Sequence, residues 1–198
     1  MSTDWTRQAP PISPLTPSHY VIKRSFWSFF ERTFRVSTRD GQLTMLVRHP
    51  MLKLREEFTV WADEARSQPL LLIKSRQVVA INHCFDVTDA ATGQMLGTVQ
   101  KQGLKSIVRD RFKILDPVGS EIGSLEEQGA SLLRRFIPLL PSHHQVFIGG
   151  QVAADIQQKF RFFTKEFVVR LDPSAVDPRF VMACALLALI AEARREDR

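Results

Sequence analysis

Hydrophobic and polar residues alternate in short runs from Tyr20 to Leu171, and the runs are rich in Phe, Val, Ile and Thr. A period of two is typical of β-strands with one buried face, and turns containing Asp and Gly separate the runs. The pattern changes after Asp177, because residues 180–191 form an unbroken apolar stretch. The chain is therefore predicted to be mainly β, with one helix at its C-terminus.

A two-strand unit repeats along the β region. In each unit a strand ends in a basic residue, and a Phe-x-Val or Phe-x-Ile triplet opens the next strand 10 or 11 residues later. The clearest triplets begin at Phe34, Phe58, Phe85 and Phe112. With two weaker units before Leu171 the count is six units and twelve strands. Short turns make neighbouring strands antiparallel, and twist and unpaired edges favour closure of so wide a sheet into a barrel.

The apolar stretch predicts a helix at about 178–194, with Asp177 as its N-cap and Pro178 in its first turn. A helix that is apolar on every side must be enclosed, and twelve apolar residues fall short of the ~20 that span a bilayer. We therefore expect a closed twelve-stranded antiparallel β-barrel around one hydrophobic C-terminal α-helix. Residues 1–18, rich in proline, are expected to form a flexible tail, and residues 19–198 the barrel domain.

Composition narrows the class of protein. Hydrophobic residues make up 44% of the 198 residues, which is ordinary for a globular domain. Two cysteines are too few for a disulfide framework, and the N-terminus lacks the apolar core of a signal peptide, so we expect a reduced, cytoplasmic protein. A net charge of +6 suits anionic partners such as nucleic acid or an acidic membrane surface, although solubility alone also accounts for it.

Several stretches together resemble one protein family. They are KRSFWSFFERTFRVSTRDG, DVTDAATGQMLGTVQKQ, KILDPVGSEIGSLEE and KEFVVRLDPSAVDPRFVMACALLALI. Their order resembles the LURP-one-related proteins, which are grouped with phospholipid scramblases and share the tubby-like barrel. The resemblance implies a barrel around a central helix. It also implies contact with lipid, since tubby domains bind membrane phosphoinositides and scramblases are linked to calcium-dependent lipid movement.

The chain departs from the scramblase pattern at the segment that precedes the final helix. That segment is acidic in scramblases, whereas here it reads RFFTKEFVVRLD. Calcium takes six to eight oxygen ligands, several of them carboxylates, and this segment does not offer them. We therefore expect no metal site and no cofactor.

The first connector of the repeat is the main candidate for lipid contact. Aromatic residues flanked by cations suit a bilayer interface, where rings lie at headgroup level and cations meet phosphates. An alternative is that the rings plug one end of the barrel, because every unit has apolar residues at this place. The candidate lipid-binding residues of this connector are Lys23, Arg24, Phe26, Trp27, Arg32 and Arg35. Arg134 and Arg135 form a second basic patch that is also a candidate for lipid binding. The alternative for this second patch is a solvated loop.

No residue pattern predicts catalysis. His83 and Cys84 are adjacent on a strand and face opposite ways, so they cannot form an activated pair. His143 and His144 have no acidic or thiol partner at ligand spacing along the chain. The repeated G-x-x-[LI]-G, as at Gly93 to Gly97, indicates turns and close backbone approach and not a phosphate loop.

We therefore expect a non-enzymatic domain with no catalytic residues. It binds anionic phospholipid or phosphoinositide headgroups as a peripheral protein at the inner face of the plasma membrane, or acts as an interaction scaffold. The alternatives are scramblase-like lipid translocation and a soluble module that binds protein or nucleic acid. The sequence leaves open whether the chain has a protein partner. No specific nucleic acid is predicted as a partner, and we expect a monomer.

Overall fold

The structure, a computed structural model, describes residues 18–25, 31–50, 57–79, 82–101, 111–128, 141–159, 164–172 and 176–196. These residues form twelve strands in chain order, followed by one helix. The first six strands are β1 (His19–Ser25), β2 (Glu31–Thr38), β3 (Leu43–Pro50), β4 (Glu57–Trp61), β5 (Pro69–Val79) and β6 (Asn82–Asp89). They are followed by β7 (Met95–Lys101), β8 (Arg111–Leu115), β9 (Glu121–Glu127), β10 (His143–Ile148), β11 (Gln151–Lys159), β12 (Thr164–Leu171) and the helix α1 (Pro178–Glu196).

Each strand pairs with its neighbours in the chain, and β1 also pairs with β12, so that the sheet is closed. The closing register runs from His19 opposite Arg170 to Ser25 opposite Thr164, and this pairing is antiparallel like the others. The predicted mainly β class and the closed, twelve-stranded antiparallel barrel are confirmed.

The repeated triplets build the inner face of the barrel. Phe34 and Val36 of β2 are fully buried, and the triplets of β4, β6 and β8 are buried in the same way. A bulge follows the aliphatic residue of each triplet, at Val36/Ser37, Val60/Trp61, Val87/Thr88 and Ile114/Leu115. Since a bulge increases the local twist of its strand, the repeat places equivalent bends around one end of the barrel.

The helix α1 fills the barrel. Every residue from Phe180 to Ile190 is at most 3% exposed, so the apolar stretch is core, as predicted. Asp177 Oδ1 accepts the backbone N–H of Arg179 at 2.8 Å, which is the predicted N-cap bond. The helix predicted at about 178–194 is found at Pro178–Glu196.

The G-x-x-[LI]-G glycines have the two roles predicted for them. Gly93 and Gly119 adopt φ values of +72° and +90° in tight turns, where a side chain would be strained. Gly97 is needed for space, because a Cβ atom there would lie 2.5 Å from the ring of Phe180. A Cβ atom at Gly123 would overlap the backbone carbonyl of Phe147.

The antiparallel order gives the barrel two ends. At the turn end the even-numbered strands finish and α1 begins, and its connections are residues 39–42, 62–68, 90–94, 116–120, 149–150 and 172–177. At the connector end the odd-numbered strands finish and α1 ends. The connections there are residues 26–30, 51–56, 80–81, 102–110, 128–142 and 160–163, most of which lie outside the described residues.

Candidate functional site

Strand alternation separates the first two candidate residues. Lys23 is exposed on the outer face of β1, whereas Arg24 is only 1% exposed and shares the inner face with the buried Tyr20 and Ile22. Arg24 lies opposite Lys165 of β12 in the register. Lys23 is therefore available to an external ligand, whereas Arg24 belongs to the interior.

The other candidate residues that the structure describes also lie on different faces of the barrel. Arg35 is on the outer wall, where its Nε and Nη2 donate to the two carboxylate oxygens of Glu64 at 2.7 and 3.3 Å. The hydrogen bond from Arg35 lowers the pKa of the Glu64 carboxyl, with burial opposing it. Arg32 is half-buried and lies opposite the buried His49 of β3. The candidates Phe26, Trp27, Arg134 and Arg135 lie outside the described residues.

Charged and polar side chains surround the end of α1 inside the connector end. The imidazole Nε2 of His144 is 2.9 Å from Glu192 Oε2, and Lys165 Nζ is 3.9 Å from Glu192 Oε1. Arg194 Nη2 approaches His49 Nε2 at 3.4 Å. We call this set the inner polar layer: Arg24, Arg32, His49, Glu127, His144, Lys165, Glu192 and Arg194.

The inner polar layer stabilises the C-terminus of the helix. Burial alone would raise the pKa of the Glu192 carboxyl, but the hydrogen bond and charge of His144 and the charge of Lys165 outweigh it and lower the pKa. Lys165 and Arg194 also place positive charge near the negative end of the helix dipole. A structural role therefore accounts for this layer.

An ion-paired arginine holds the other end of α1. Arg179 Nη2 is 2.6 Å from Asp177 Oδ2, and its Nη1 contacts Asp89 at the end of β6. Asp89 Oδ1 also accepts the backbone N–H groups of Ala91 and Thr92. Burial would raise the pKa of the Asp89 carboxyl, but the hydrogen bonds from Thr92 and Arg179 and the charge of Arg179 lower it. The contacts of Arg179 and Asp89 fix the start of the helix to the β6–β7 turn.

The outer wall carries cross-strand ion pairs. Their N···O distances range from 2.6 Å to 3.7 Å, and exposed pairs of this kind contribute about 0–1 kcal/mol each. They are Arg35–Glu64, Lys74–Glu57, Arg76–Asp86, Arg111–Glu126 and Lys113–Glu121. The wall thus presents a mixed-charge, largely paired surface.

The structure gives each of the adjacent histidines a carboxylate partner that spacing along the chain did not reveal. His143 Nε2 lies 2.6 Å from Asp155 on the wall, and His144 pairs with Glu192 inside. The fixed register of β10 and β11 brings the first pair together, and the threaded helix brings the second. Within the described ranges, no three His, Cys, Asp or Glu side chains are grouped so as to hold a metal ion.

The sequence segments that connect strands at the two ends of the barrel differ in charge. The connector-end segments contain seven Lys or Arg and two Asp or Glu, whereas the turn-end segments contain two Lys or Arg and six Asp or Glu. Sequence reasoning did not find this asymmetry, although the signal was present: in an antiparallel barrel alternate connections share an end. The basic residues of the connector-end segments all lie outside the described residues: Lys53, Arg55, Lys105, Arg109, Arg134, Arg135 and Arg161.

Among the described residues, no helix is both long enough and apolar enough to cross a bilayer.

Comparison with known proteins identifies a family. Curated protein sequences gave no match. The family model described as LURP-one-related matches residues 18–188, which cover the whole barrel and more than half of α1. The chain belongs to the LURP-one-related family.

Proposed function

We propose that this chain is a non-enzymatic barrel domain that binds anionic phospholipid at a membrane surface through its connector end. The observation that carries the proposal is the sequence of the segments that connect strands at that end, which contain seven Lys or Arg and two Asp or Glu. A basic residue near an anionic bilayer contributes about 1 kcal/mol at physiological salt, so several acting together give useful affinity.

The composition of the same segments favours a bilayer over other anionic partners. Apolar and aromatic residues lie between the cations, in sequences such as FWSFF, MLKLRE and FRFF at residues 26–30, 51–56 and 160–163. The turn-end connections, in contrast, read RDGQ and DPVGS at residues 39–42 and 116–120. Rings and aliphatic side chains beside cations are typical of peripheral membrane surfaces, where both hydrocarbon and phosphate are within reach.

The position of α1 inside the barrel supports peripheral binding to a membrane surface and not anchoring by insertion of this helix into the bilayer. Its apolar residues are enclosed by the barrel from Phe180 to Ile190, so they are not available to lipid. Attachment to a membrane then has to come from surface residues, and it is expected to be reversible and sensitive to salt.

Two variants with the same loss of charge test the proposal. The first removes three connector-end or nearby cations by Lys23→Ser, Arg134→Ser and Arg135→Ser. The control removes three exposed turn-end cations by Arg39→Ser, Arg66→Asn and Arg170→Ser. Asn is chosen at Arg66 because that residue has a φ of +58°, which Asn tolerates.

Co-sedimentation with phosphatidylserine vesicles at low salt distinguishes them. The connector-end variant should bind about tenfold more weakly or worse, since each lost cation removes up to about 1 kcal/mol. The control should bind like the parent. Equal weakening of vesicle binding in both variants would show that binding depends only on the net charge of the protein. Tighter binding to duplex DNA than to vesicles would favour the nucleic-acid alternative.

The aromatic residues of the first connector need a separate measurement, because they are also candidates for a plug. Phe26→Ala and Trp27→Ala should weaken vesicle binding with little change in melting temperature if the rings enter the interface. A lowered melting temperature with unchanged vesicle binding would instead favour the plug.

A further inference from the structure

Basic side chains face inward along one side of the barrel, at its connector end. The neighbouring strands β3, β2, β1 and β12 each contribute one such residue: His49, Arg32, Arg24 and Lys165. Arg32 lies opposite His49 in the register, and Arg24 lies opposite Lys165. From the helix, Arg194 reaches the same side, with its Nη2 3.4 Å from His49 Nε2. We call these five residues the cationic arc.

The charges of the cationic arc have one sign. Lys165 lies directly opposite Arg24, and like charges at such cross-strand positions are destabilising. Within the described residues, no Asp or Glu faces inward on the four strands of the arc. Glu192 of α1 offsets one of the charges, with its Oε1 3.9 Å from Lys165 Nζ, and it is shared with His144. The buried Glu127 is on β9, three strands away from β12.

The helix end does not require so much positive charge. The C-terminus of a helix carries the equivalent of about half a negative elementary charge, whereas the arc contains four cations: Arg24, Arg32, Lys165 and Arg194. The contacts among Glu192, His144 and Lys165 account for the attachment of α1 to the barrel. They leave the inward position of Arg24 and Arg32 without a structural reason.

Arg24 and Arg32 also hold buried donors that point to a ligand. Arg24 is only 1% exposed. Both side chains have contacts, yet Nε and Nη1 of Arg24 and Nε of Arg32 are buried and donate to no acceptor among the described residues. Nearly all buried donors in folded proteins find an acceptor, because an unsatisfied one is destabilising. The guanidinium donors of arginine match the oxygens of a phosphate group.

The size of the ligand follows from the position of the arc. The Lys165 side chain is 21% exposed, and Arg32 and Arg194 are half-buried, so solvent reaches part of the arc. Arg24 is enclosed between the sheet and the rest of the interior. A polymer such as duplex nucleic acid is too wide to enter a barrel that is filled by a helix. A compact anion with several charges fits these conditions.

We propose that the cationic arc binds one terminal phosphate or pyrophosphate group inside the connector end, with Arg24 and Arg32 as its main hydrogen-bond donors. The headgroup of phosphatidic acid and a soluble phosphate compound share this chemistry. The inference goes beyond the proposed function, because it concerns the interior of the barrel and does not depend on vesicle binding by the connector-end segments.

Calorimetric titration of the full chain with inorganic pyrophosphate, at fixed ionic strength, tests the site. Arg24→Gln and Arg32→Gln each remove one cation of the arc. Arg170→Gln is the matched control, because Arg170 is exposed on the outer face of β12. Each arc variant should bind pyrophosphate about tenfold more weakly or worse, since a charged hydrogen bond is lost, and the control should bind like the parent.

Melting temperatures give a second readout. The melting temperature of the parent should rise with pyrophosphate concentration, and those of the arc variants should rise less. Absence of saturable pyrophosphate binding to the parent, or equal weakening in Arg170→Gln, would overturn the proposal. If Arg24→Gln does not fold, Arg32→Gln decides the question alone, because its position is only half-buried.

Competition with lipid vesicles identifies the source of the phosphate group once pyrophosphate binds. Displacement of pyrophosphate by phosphatidic acid vesicles, but not by phosphatidylserine vesicles, supports the site and assigns it to a lipid headgroup with a terminal phosphate. Binding of pyrophosphate that neither kind of vesicle displaces supports the site and assigns it to a soluble phosphate compound. Equal displacement by both kinds of vesicle would contradict selection of a terminal phosphate.

Discussion

The imidazole of His144 on β10 lies 2.9 Å from the carboxylate of Glu192 near the end of α1, and both side chains are almost fully buried. The two residues are 48 positions apart, so this contact connects the helix to the barrel that encloses it. Removing one member of such a buried pair should lower the free energy of unfolding by about 3–5 kcal/mol.

Urea denaturation of His144→Ala, Glu192→Ala and the double variant measures this contribution. The double variant should lose clearly less than the sum of the two single losses, because the single variants share one interaction. As a control, His143→Ala should lose about 1 kcal/mol or less, since its 2.6 Å pair with Asp155 lies on the partly exposed wall. Additive losses at His144 and Glu192 would contradict a coupled pair.

Glu192 should also make stability depend on pH. The pKa of its carboxyl in the folded protein is lower than the value of about 4.3 expected for unfolded Glu. Its stabilising contribution is therefore fully present above about pH 4.3 and is lost as the pH falls toward the folded pKa. Melting temperatures of the parent and of Glu192→Gln should differ most near neutral pH and converge in acid; a constant difference would exclude titration of this group.

The contact between Gly97 and Phe180 predicts a sharp response to one added methyl group. Gly97→Ala would place its Cβ 2.5 Å from the Phe180 ring, and overpacking of this kind costs about 1–3 kcal/mol. Adding Phe180→Leu should recover only part of the melting temperature, because the Cβ would still lie 2.6 Å from the backbone carbonyl oxygen of Leu115. Gly93→Asn is the matched control, because no atom lies within 4 Å of a Cβ there and Asn tolerates its φ of +72°.

The interior position of α1 predicts the effect of a buried charge. Leu187 is 2% exposed, and Leu187→Arg should abolish cooperative folding, since an unpaired buried charge costs several kcal/mol. Val118→Arg adds the same side chain at a position that is 85% exposed and should fold like the parent. A folded Leu187→Arg protein with a normal melting curve would show that the helix is not part of the core.

The barrel was predictable because its signals are local and repeated. The triplets at Phe34, Phe58, Phe85 and Phe112 fix both the strand period and the buried face, and the uninterrupted apolar stretch after Asp177 requires enclosure. The repetition itself gave the strand count, since each unit contributes one hairpin.

The candidate site was less predictable, because it depends on which face of the sheet each side chain occupies and on pairing between residues far apart in the sequence. Alternation alone could have placed Lys23 and Arg24 on opposite faces, with Arg24 on the same side as Tyr20 and Ile22. The pairing of Arg35 with Glu64 depends on contacts across two hairpins and could not have been read from the sequence. The difference in charge between the two sets of connecting segments becomes visible only once each connection is assigned to an end of the barrel.

Sedimentation of the unmodified protein with lipid vesicles, as a function of salt, is the most direct test of binding to anionic membranes. We expect binding to phosphatidylserine vesicles at low salt, progressive release as salt screens the cations of the connector-end segments, and little binding to phosphatidylcholine vesicles. Absence of binding to anionic vesicles at low salt, or equal binding to both lipids, would contradict it.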